Sequence, residues 1–414
     1  MTYVREEILD ELESKLKAKD FKLNSLLEIT KAINANKGIE ELLAIYNFIL
    51  KEQLNVRKFI LFNYDSSWEV LSKVGFKGKI KEINIEEDFT RFEDITVIES
   101  SHKECINHFD VVVPVLHKGH RLAYLLLGGL HEVNNDSTKN PMLNLNFIQT
   151  LTNIIVVAIE NKRMTKESIK QERVKRDLEV ASEMQRLLFP SDLPSNGFVD
   201  ISAKYLSHSQ VSGDYYDYIQ LNEDEFILCI ADVSGKGISA AMLMANFQAT
   251  VRTLYNYKRF DLKELVLELN EKVFASAQGE KFITFFIAEY NAKTRKLKYV
   301  NAGHNWPIIM HGRKSDFLNQ GSIGLGMLPE LPFLNSAEIT IKPNTTLLLY
   351  TDGVVELENP QREQFETDRL IKIVQNFYPL SMEDLNEIIF SKLDEWRSSK
   401  RYVDDTAILS CRIF

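Results

Sequence analysis

Residues 226–237 read FILCIADVSGKG, a short apolar run that closes on an acid and a glycine-broken turn. Phe226, Ile227, Leu228, Cys229 and Ile230 have the length and composition of a buried strand. Asp232 ends it, Ser234-Gly235-Lys236-Gly237 turns the chain, and a helix rich in small residues is expected to open at about Ile238. The same grammar recurs elsewhere. A strand over 347–350 runs out into Thr351-Asp352-Gly353, and Tyr402-Val403-Asp404-Asp405 leads into a strand over 406–411. Val211-Ser212-Gly213-Asp214 places a further acid after a short apolar segment. Carboxylates at strand ends, beside Gly or a second acid, suit hard divalent cations. Mg²⁺ and Mn²⁺ take oxygen ligands, and glycine lets the backbone come close. One Asp-Gly pair is usually only a turn. Asp214, Asp232, Asp352 and Asp404 gathered in one pocket would repel unless cations neutralised them, so together they read as a metal cluster. Two ions bridged by a water lower that water's pKa and fix it for in-line attack on phosphorus, with no Ser, Cys or His nucleophile required.

The chain has 414 residues, too many for one ordinary domain, so two or three are expected. Apolar residues make up 44% and charged residues 26%, ordinary values for a globular protein. A net charge of −9 argues against nucleic acid as a partner, since phosphate backbones reward basic surfaces. No apolar run approaches the roughly 18–20 residues of a membrane helix; residues 122–130 and 154–159 come nearest. Arg5, Glu6, Glu7 and Asp10 stand where a signal peptide would have an apolar core. Cys105, Cys229 and Cys411 lie far apart without metal-knuckle spacing, so a reduced, cytoplasmic chain is expected.

From residue 4 to 54 the pattern is helical: Ile8, Leu12 and Leu16, then Leu23, Leu26, Leu27 and Ile33, then after Gly38 a second stripe of Leu42, Leu43, Ile45 and Ile49. The period then changes. Strands are expected at 58–64 and 68–74 around an Asp65-Ser66-Ser67 turn, at 95–99, at 111–116, and after His117-Lys118-Gly119-His120 at 122–127. A polar loop at 134–140 precedes a helix from about Leu143 carrying Ile148, Leu151, Ile155 and Ile159. Helix, antiparallel strands, late long hairpin and closing helix over residues 1–160 resemble in layout a GAF domain, a sensing and dimerisation module; PAS is the nearest competitor. The resemblance leaves room for an unidentified small ligand and implies a homodimer, but names no ligand. Cys105 and His108, three apart, suit a chromophore or haem anchor less well than a loop cysteine and a hydrogen-bonded histidine. His117 and His120 solvate a hairpin turn.

Residues 161–190 are charge-rich, free of Gly and Pro until Pro190, and continuous with the preceding helix. Val174, Leu178, Ala181, Gln185 and Leu188 alternate at four and three, a coiled-coil-like seam, against which stands a lone amphipathic helix lying on one domain. Pro190 and Pro194 end it. In 191–414, strands are expected at 199–206, 284–290, 296–300, 306–310, 338–341 and 346–350, and helices at 238–257, 262–277, 368–377 and 381–396. Paired strands and paired helices predict an α+β layered fold, not an alternating doubly wound one.

VSGDYYD, ADVSGKGISAAMLMA, NAGHNWP, LLLYTDGVVE and the terminal VDDTAILSCRI, in this order, resemble the bacterial SpoIIE/RsbU-type branch of the metal-dependent PPM (protein phosphatase 2C-like) serine/threonine phosphatases. The resemblance implies an α-β-β-α layered sandwich that binds two Mn²⁺ or Mg²⁺ ions. It makes Asp214 and Asp232 holders of the first ion and the bridging water, with Val233 lending a backbone carbonyl. Asp352 and Asp404 become ligands of the second ion, with Asp405 beside them. Catalysis would rest on Asp214, Asp232 and Asp352. Eukaryotic relatives carry a His two residues after the acid equivalent to Asp232, where this chain has Ser234. Lys236 and His304 are candidates for contact with substrate, against solvation of a loop and a structural place in a turn; Asp217 either bonds a metal water or solvates its loop. The implied substrate is a phosphoserine or phosphothreonine on a partner protein, in this branch a STAS-type anti-sigma-factor antagonist, with activity regulated through the N-terminal domain. A catalytically silent adaptor of the same fold is the alternative, and the complete acid set speaks against it. A nucleotide cyclase, suggested by Ser-Gly-Asp, has no place for the later Asp-Gly and Asp-Asp strand ends.

Overall fold

A computed structural model describes residues 2–98, 103–117, 119–130, 141–208, 210–257 and 261–414. The expected polar loop at 134–140, Glu99 and Lys118 lie outside the described residues. The chain divides into two units, Met1–Gln171 and Glu172–Phe414.

The first unit opens with α1 (Thr2–Asn34) and α2 (Ile39–Phe48), continues through β1 (Lys58–Asp65), β2 (Ser67–Val74), the one-turn α3 (Ile85–Asp88), β3 (Thr96–Val97), β4 (Val111–His117) and β5 (His120–Gly128), and closes with α4 (Leu145–Arg186). The sheet is antiparallel, in the order β2-β1-β5-β4-β3. Strands alternate side chains between faces. Phe59, Leu61, Val113, Leu125 and Leu127 therefore meet Leu42, Tyr46, Leu151 and Ile155 from the helices, while Ile60, Phe62, Val112, Tyr124 and Leu126 meet Phe76, Phe89, Ile106 and Phe109. Cover on both faces explains why β4 and β5 read as unbroken apolar runs. The strand expected at 95–99 shrinks to Thr96–Val97 at the sheet edge. Cys105 is buried with its thiol toward the Glu82 carbonyl at 3.6 Å, and the His108 ring packs edge-on to Phe76. Both are packing residues.

The helix α4 runs without interruption past residue 160, where the sensor was expected to end, and past the division at Gln171. Its expected seam is not a single exposed stripe. Val174 and Ala181 face solvent, whereas Gln185 and Leu188 turn onto the second unit, because the helix ends at Arg186 and Leu188 joins that unit's apolar core.

In the second unit the strands are β6 (Val199–Leu206), β7 (Tyr215–Gln220), β8 (Glu225–Val233), β9 (Ile283–Asn291), β10 (Lys296–Ala302), β11 (Ile308–His311), β12 (Lys314–Phe317), β13 (Gly321–Ser322), β14 (Ala337–Thr340), β15 (Thr345–Tyr350) and β16 (Thr406–Ile413). The helices are α5 (Ile238–Tyr257), α6 (Leu262–Ala277), α7 (Asp352–Val355), α8 (Thr367–Asn376) and α9 (Met382–Arg397). One sheet runs β13-β10-β9-β8-β7 with β14 on β10, the other β12-β11-β15-β16-β6. Leu228, Ile230, Phe286, Leu347, Leu349 and Leu409 interleave between the sheets. On the outer faces α5 and α6 cover the first sheet, and α8 and α9 cover the second. The result is the expected α-β-β-α sandwich, held at both outer layers and between the sheets by apolar burial.

Candidate active site

The acids converge because of strand pairing. In the first sheet Tyr215 pairs with Ala231, so Asp214, one residue before β7, stands beside Asp232 near the end of β8. In the second sheet Tyr350 pairs with Ile408, so Asp352, which opens α7, lies beside the Asp404-Asp405 pair that precedes β16. Two bridges join the sheets at this end. Thr351, fully buried, donates from its hydroxyl to Asp214 Oδ2 at 2.9 Å and accepts from the Ala407 N–H at 2.9 Å. Asp405 accepts from the Gly213 N–H at 3.2 Å and from the His208 N–H at 2.7 Å. Asp214, Asp232, Asp352, Asp404 and Asp405 are thus brought together, and Asp405 is occupied with holding the backbone N–H groups of His208 and Gly213.

Electrostatics carry the signature of crowded carboxylates. Burial, then the charges of Asp232 and Asp405, push Asp214 well above the usual carboxylate range. Burial followed by Asp352 and Asp404 lifts Asp232 to about 7, with Asp214 within hydrogen-bonding reach. Burial and Asp404 lift Asp352 to about 6. A desolvated group surrounded by like charges resists ionisation unless positive charge is supplied.

Two glycines permit the approach. A Cβ on Gly353 would stand 1.9 Å from the Asp405 carbonyl oxygen, so only glycine lets the Asp352 turn pass the Asp404-Asp405 loop. A Cβ on Gly213 would come within 3.0 Å of the Val233 carbonyl, so that carbonyl faces the strand end bearing Asp214.

The remaining candidates separate. Lys236 pairs with Asp404 Oδ2 at 2.9 Å and donates to the Val403 carbonyl at 2.6 Å, so its ammonium sits among the acids. His304 is 3% exposed, too enclosed to touch a protein substrate. Its Nδ1 pairs with the Thr284 hydroxyl at 2.9 Å, its backbone N–H donates to Asn301, and burial pulls its pKa down to about 4. Of its two readings, the structural place in a turn is the one these contacts fit: His304 packs the turn after β10. Asp217 does not solvate a loop. It lies in mid-strand, buried, and takes a two-point pair from Arg252 Nε at 2.7 Å and Nη2 at 2.8 Å with the Tyr215 hydroxyl beside it. Ser234 accepts from the Phe282 N–H at 2.9 Å and pins the loop to the sheet. Sequence reading missed Thr351 and Arg252, although a Thr leading straight into Asp-Gly was visible, and it placed Gln185 in a seam instead of against Ser212.

Among the described residues no three His, Cys, Asp or Glu side chains are already drawn up as a metal cage. The donor set itself, buried carboxylates crowded by further acids plus a nearby carbonyl, is all oxygen, which fits hard divalent cations and not soft ones.

Residues 222–414 match the family described as Stage II sporulation protein E (SpoIIE). Over 241 residues the chain is 25% identical to phosphoserine phosphatase RsbU of Bacillus subtilis (strain 168), spanning 58% of this chain and 71% of that protein. Over 240 residues it is 27% identical to phosphoserine phosphatase RsbP of the same organism, spanning 57% of this chain and 57% of RsbP. The solved SiaA-PP2C domain of Pseudomonas aeruginosa shares the fold, with a TM-score of 0.53 at 19% identity over 59% of this chain and 99% of that domain. Asp232, Asp352 and Asp404 fall inside the family match. Layering, strand-end acids and relatives agree, and the C-terminal unit belongs to the SpoIIE/RsbU-type branch of the PPM serine/threonine protein phosphatases.

Proposed function

We propose that the chain is a divalent-metal-dependent phosphatase that removes phosphate from a serine or threonine of a regulatory partner protein, and that its N-terminal unit is a GAF-like sensor. The observation carrying this is the crowding of Asp214, Asp232 and Asp352 at adjoining strand ends, where burial first and neighbouring acids second hold each above the usual carboxylate range. Two Mn²⁺ or Mg²⁺ ions, when bound, supply charge neutralisation and an acidified water for attack at phosphorus. The carboxylates of Asp214, Asp232, Asp352 and Asp404 would hold them, with the Val233 carbonyl as a further donor. Thr351 orients Asp214, and Asp405 fixes the backbone before it. Lys236 places a cation where a phosphate dianion would arrive.

The names of RsbU and RsbP as phosphoserine phosphatases support phosphoserine as the substrate group. The partner is a phosphorylated anti-sigma-factor antagonist of STAS type, the substrate that family resemblance implies. Residues 1–160 form the sensor, 161–190 the helical linker and 191–414 the phosphatase domain, acting as a homodimer in the cytoplasm. Exposed Val180 and Met184 on α4, with exposed Leu187 just past its end, support pairing through that helix.

The test is manganese-dependent release of phosphate from a phosphoprotein, with Asp232→Asn expected to abolish it. Capture on Asp352→Asn then identifies the partner. Undiminished turnover in Asp232→Asn sinks the metal assignment. A wild type that captures the partner but releases no phosphate makes the chain an adaptor.

A further inference from the structure

The segment 211–214, which carries Asp214, belongs to no strand, so its backbone groups need partners from elsewhere. Three consecutive N–H groups are each accepted by a different side-chain oxygen. Gln185 Oε1 takes that of Ser212 at 3.0 Å, Asp405 Oδ2 takes that of Gly213 at 3.2 Å, and the Ser212 hydroxyl takes that of Asp214 at 3.0 Å. Gln185 also donates from Nε2 to the Ser212 carbonyl at 2.7 Å, so one side-chain amide satisfies both backbone groups of Ser212. Ser212 is 1% exposed and out of reach of water as a substitute.

Gln185 is the member of this trio that lies on α4, one residue before its end at Arg186. Around it the chain is loosely held: Met184, the helix residue before it, is 60% exposed, and Leu187, just past the helix end, is 76% exposed. Beyond the helix, Phe189 stacks on Tyr205 and Tyr216, and the Leu188 carbonyl accepts from Gln248 on α5. The chain is therefore anchored past residue 187, while Gln185 is the grip the helix proper has on the backbone two residues from Asp214.

We infer that Gln185 is a positioning residue through which the last turn of α4 sets the placement of Asp214, and hence the site's grip on its ion. A turn of the helix about its axis, or fraying of its final turn, withdraws both hydrogen bonds at once and leaves the Ser212 amide and carbonyl buried without partners. Movement of α4 is thereby converted into metal affinity. This rests on the metal-dependent phosphatase reading above.

The experiment uses the full chain and the variants Gln185→Ala and Gln185→Glu, the latter keeping the acceptor for the Ser212 N–H while losing the donor. Mn²⁺ binding is measured by calorimetry, turnover with a phosphoprotein, and hydrogen–deuterium exchange over 207–216. In Gln185→Ala we expect about tenfold weaker Mn²⁺ binding and faster exchange confined to that segment, with KM for the phosphoprotein unchanged; Gln185→Glu should fall between Ala and wild type. Wild-type Mn²⁺ affinity and exchange in a folded Gln185→Ala overturn the inference, as does exchange that quickens throughout the unit. A wild type that binds Mn²⁺ but hydrolyses nothing refutes the phosphatase reading, and the binding data still decide on Gln185.

Discussion

Arg252→Met breaks the ion pair made to Asp217, a fully buried mid-strand carboxylate of the phosphatase unit that is not among the proposed metal ligands. Asp217 is 0% exposed, and Arg252 meets it with two hydrogen bonds of 2.7 and 2.8 Å. Taking away one member of a buried pair typically costs about 3–5 kcal/mol, because the survivor stays desolvated and uncompensated. The Arg252 side chain is 42% exposed, so water screens part of the interaction, and the Tyr215 hydroxyl and Tyr218 N–H still serve the carboxylate. We expect a loss of about 2–3 kcal/mol. For a domain of ~150–250 residues that is a fall in Tm of roughly 5–10 °C. Thermal and urea unfolding of the full chain, following the transition of the C-terminal unit, measure it. Arg252→Met/Asp217→Leu should recover most of the loss, since an apolar pair replaces a buried charge without leaving one behind. A single variant within ~0.5 kcal/mol of wild type, or a double variant as unstable as the single, refutes the reasoning.

His304, held near 4 in the fold against an ordinary 6.5, contributes stability that is complete above pH 6.5 and drains as pH falls toward 4, about 3 kcal/mol at most. His304→Gln should show a shallower acid decline in urea midpoint than wild type, and parallel declines would contradict this. Asp232 and Asp352 act in the opposite sense. Their raised values, about 7 and about 6, mean the folded state in EDTA holds extra protons, so stability falls as pH rises from about 4 through 7. The rise in Tm produced by Mn²⁺ should therefore grow between about pH 5.5 and 8; a rise independent of pH would remove the acids from the metal site. Gly353→Ala forces a methyl to within 1.9 Å of the Asp405 carbonyl and should cost about 2 kcal/mol or more and most of the activity. Gly197→Ala, with open space at its Cβ, should be silent by both measures.

The layered fold and the meeting of the four acids were legible because each lies where a strong local pattern breaks. The helices at 238–257 and 262–277 match the structure end to end, since Gly237 and the Asp261 cap mark where they begin. Three strands were not legible, the two-residue Gly321–Ser322 and two longer ones. Tyr215–Gln220 carries a buried Asp in mid-strand, and its counter-charge Arg252 lies 35 residues away on another element. Lys314–Phe317 is a polar edge strand whose pairing with β11 is set by register, not by its own apolarity. Gln185 illustrates the limit best. Heptad spacing assigns it to a helix seam, while its amide is used by a backbone segment 27 residues downstream. Side chains that serve distant backbone leave no periodic trace.

β16 sits between β15 and β6 in the sheet that bears Asp352 and Asp404, and it pairs Thr406 with Leu206 across nearly half the chain. A ribosome must therefore translate residue 413 before this layer can close, while residues 1–171 have been out of the exit tunnel for on the order of 10–50 s at ~5–20 residues per second. The N-terminal unit has time to fold before any phosphatase chemistry exists. During that interval β6 and β15 lack the strand that separates them, so their edges stay unpaired until the last strand arrives.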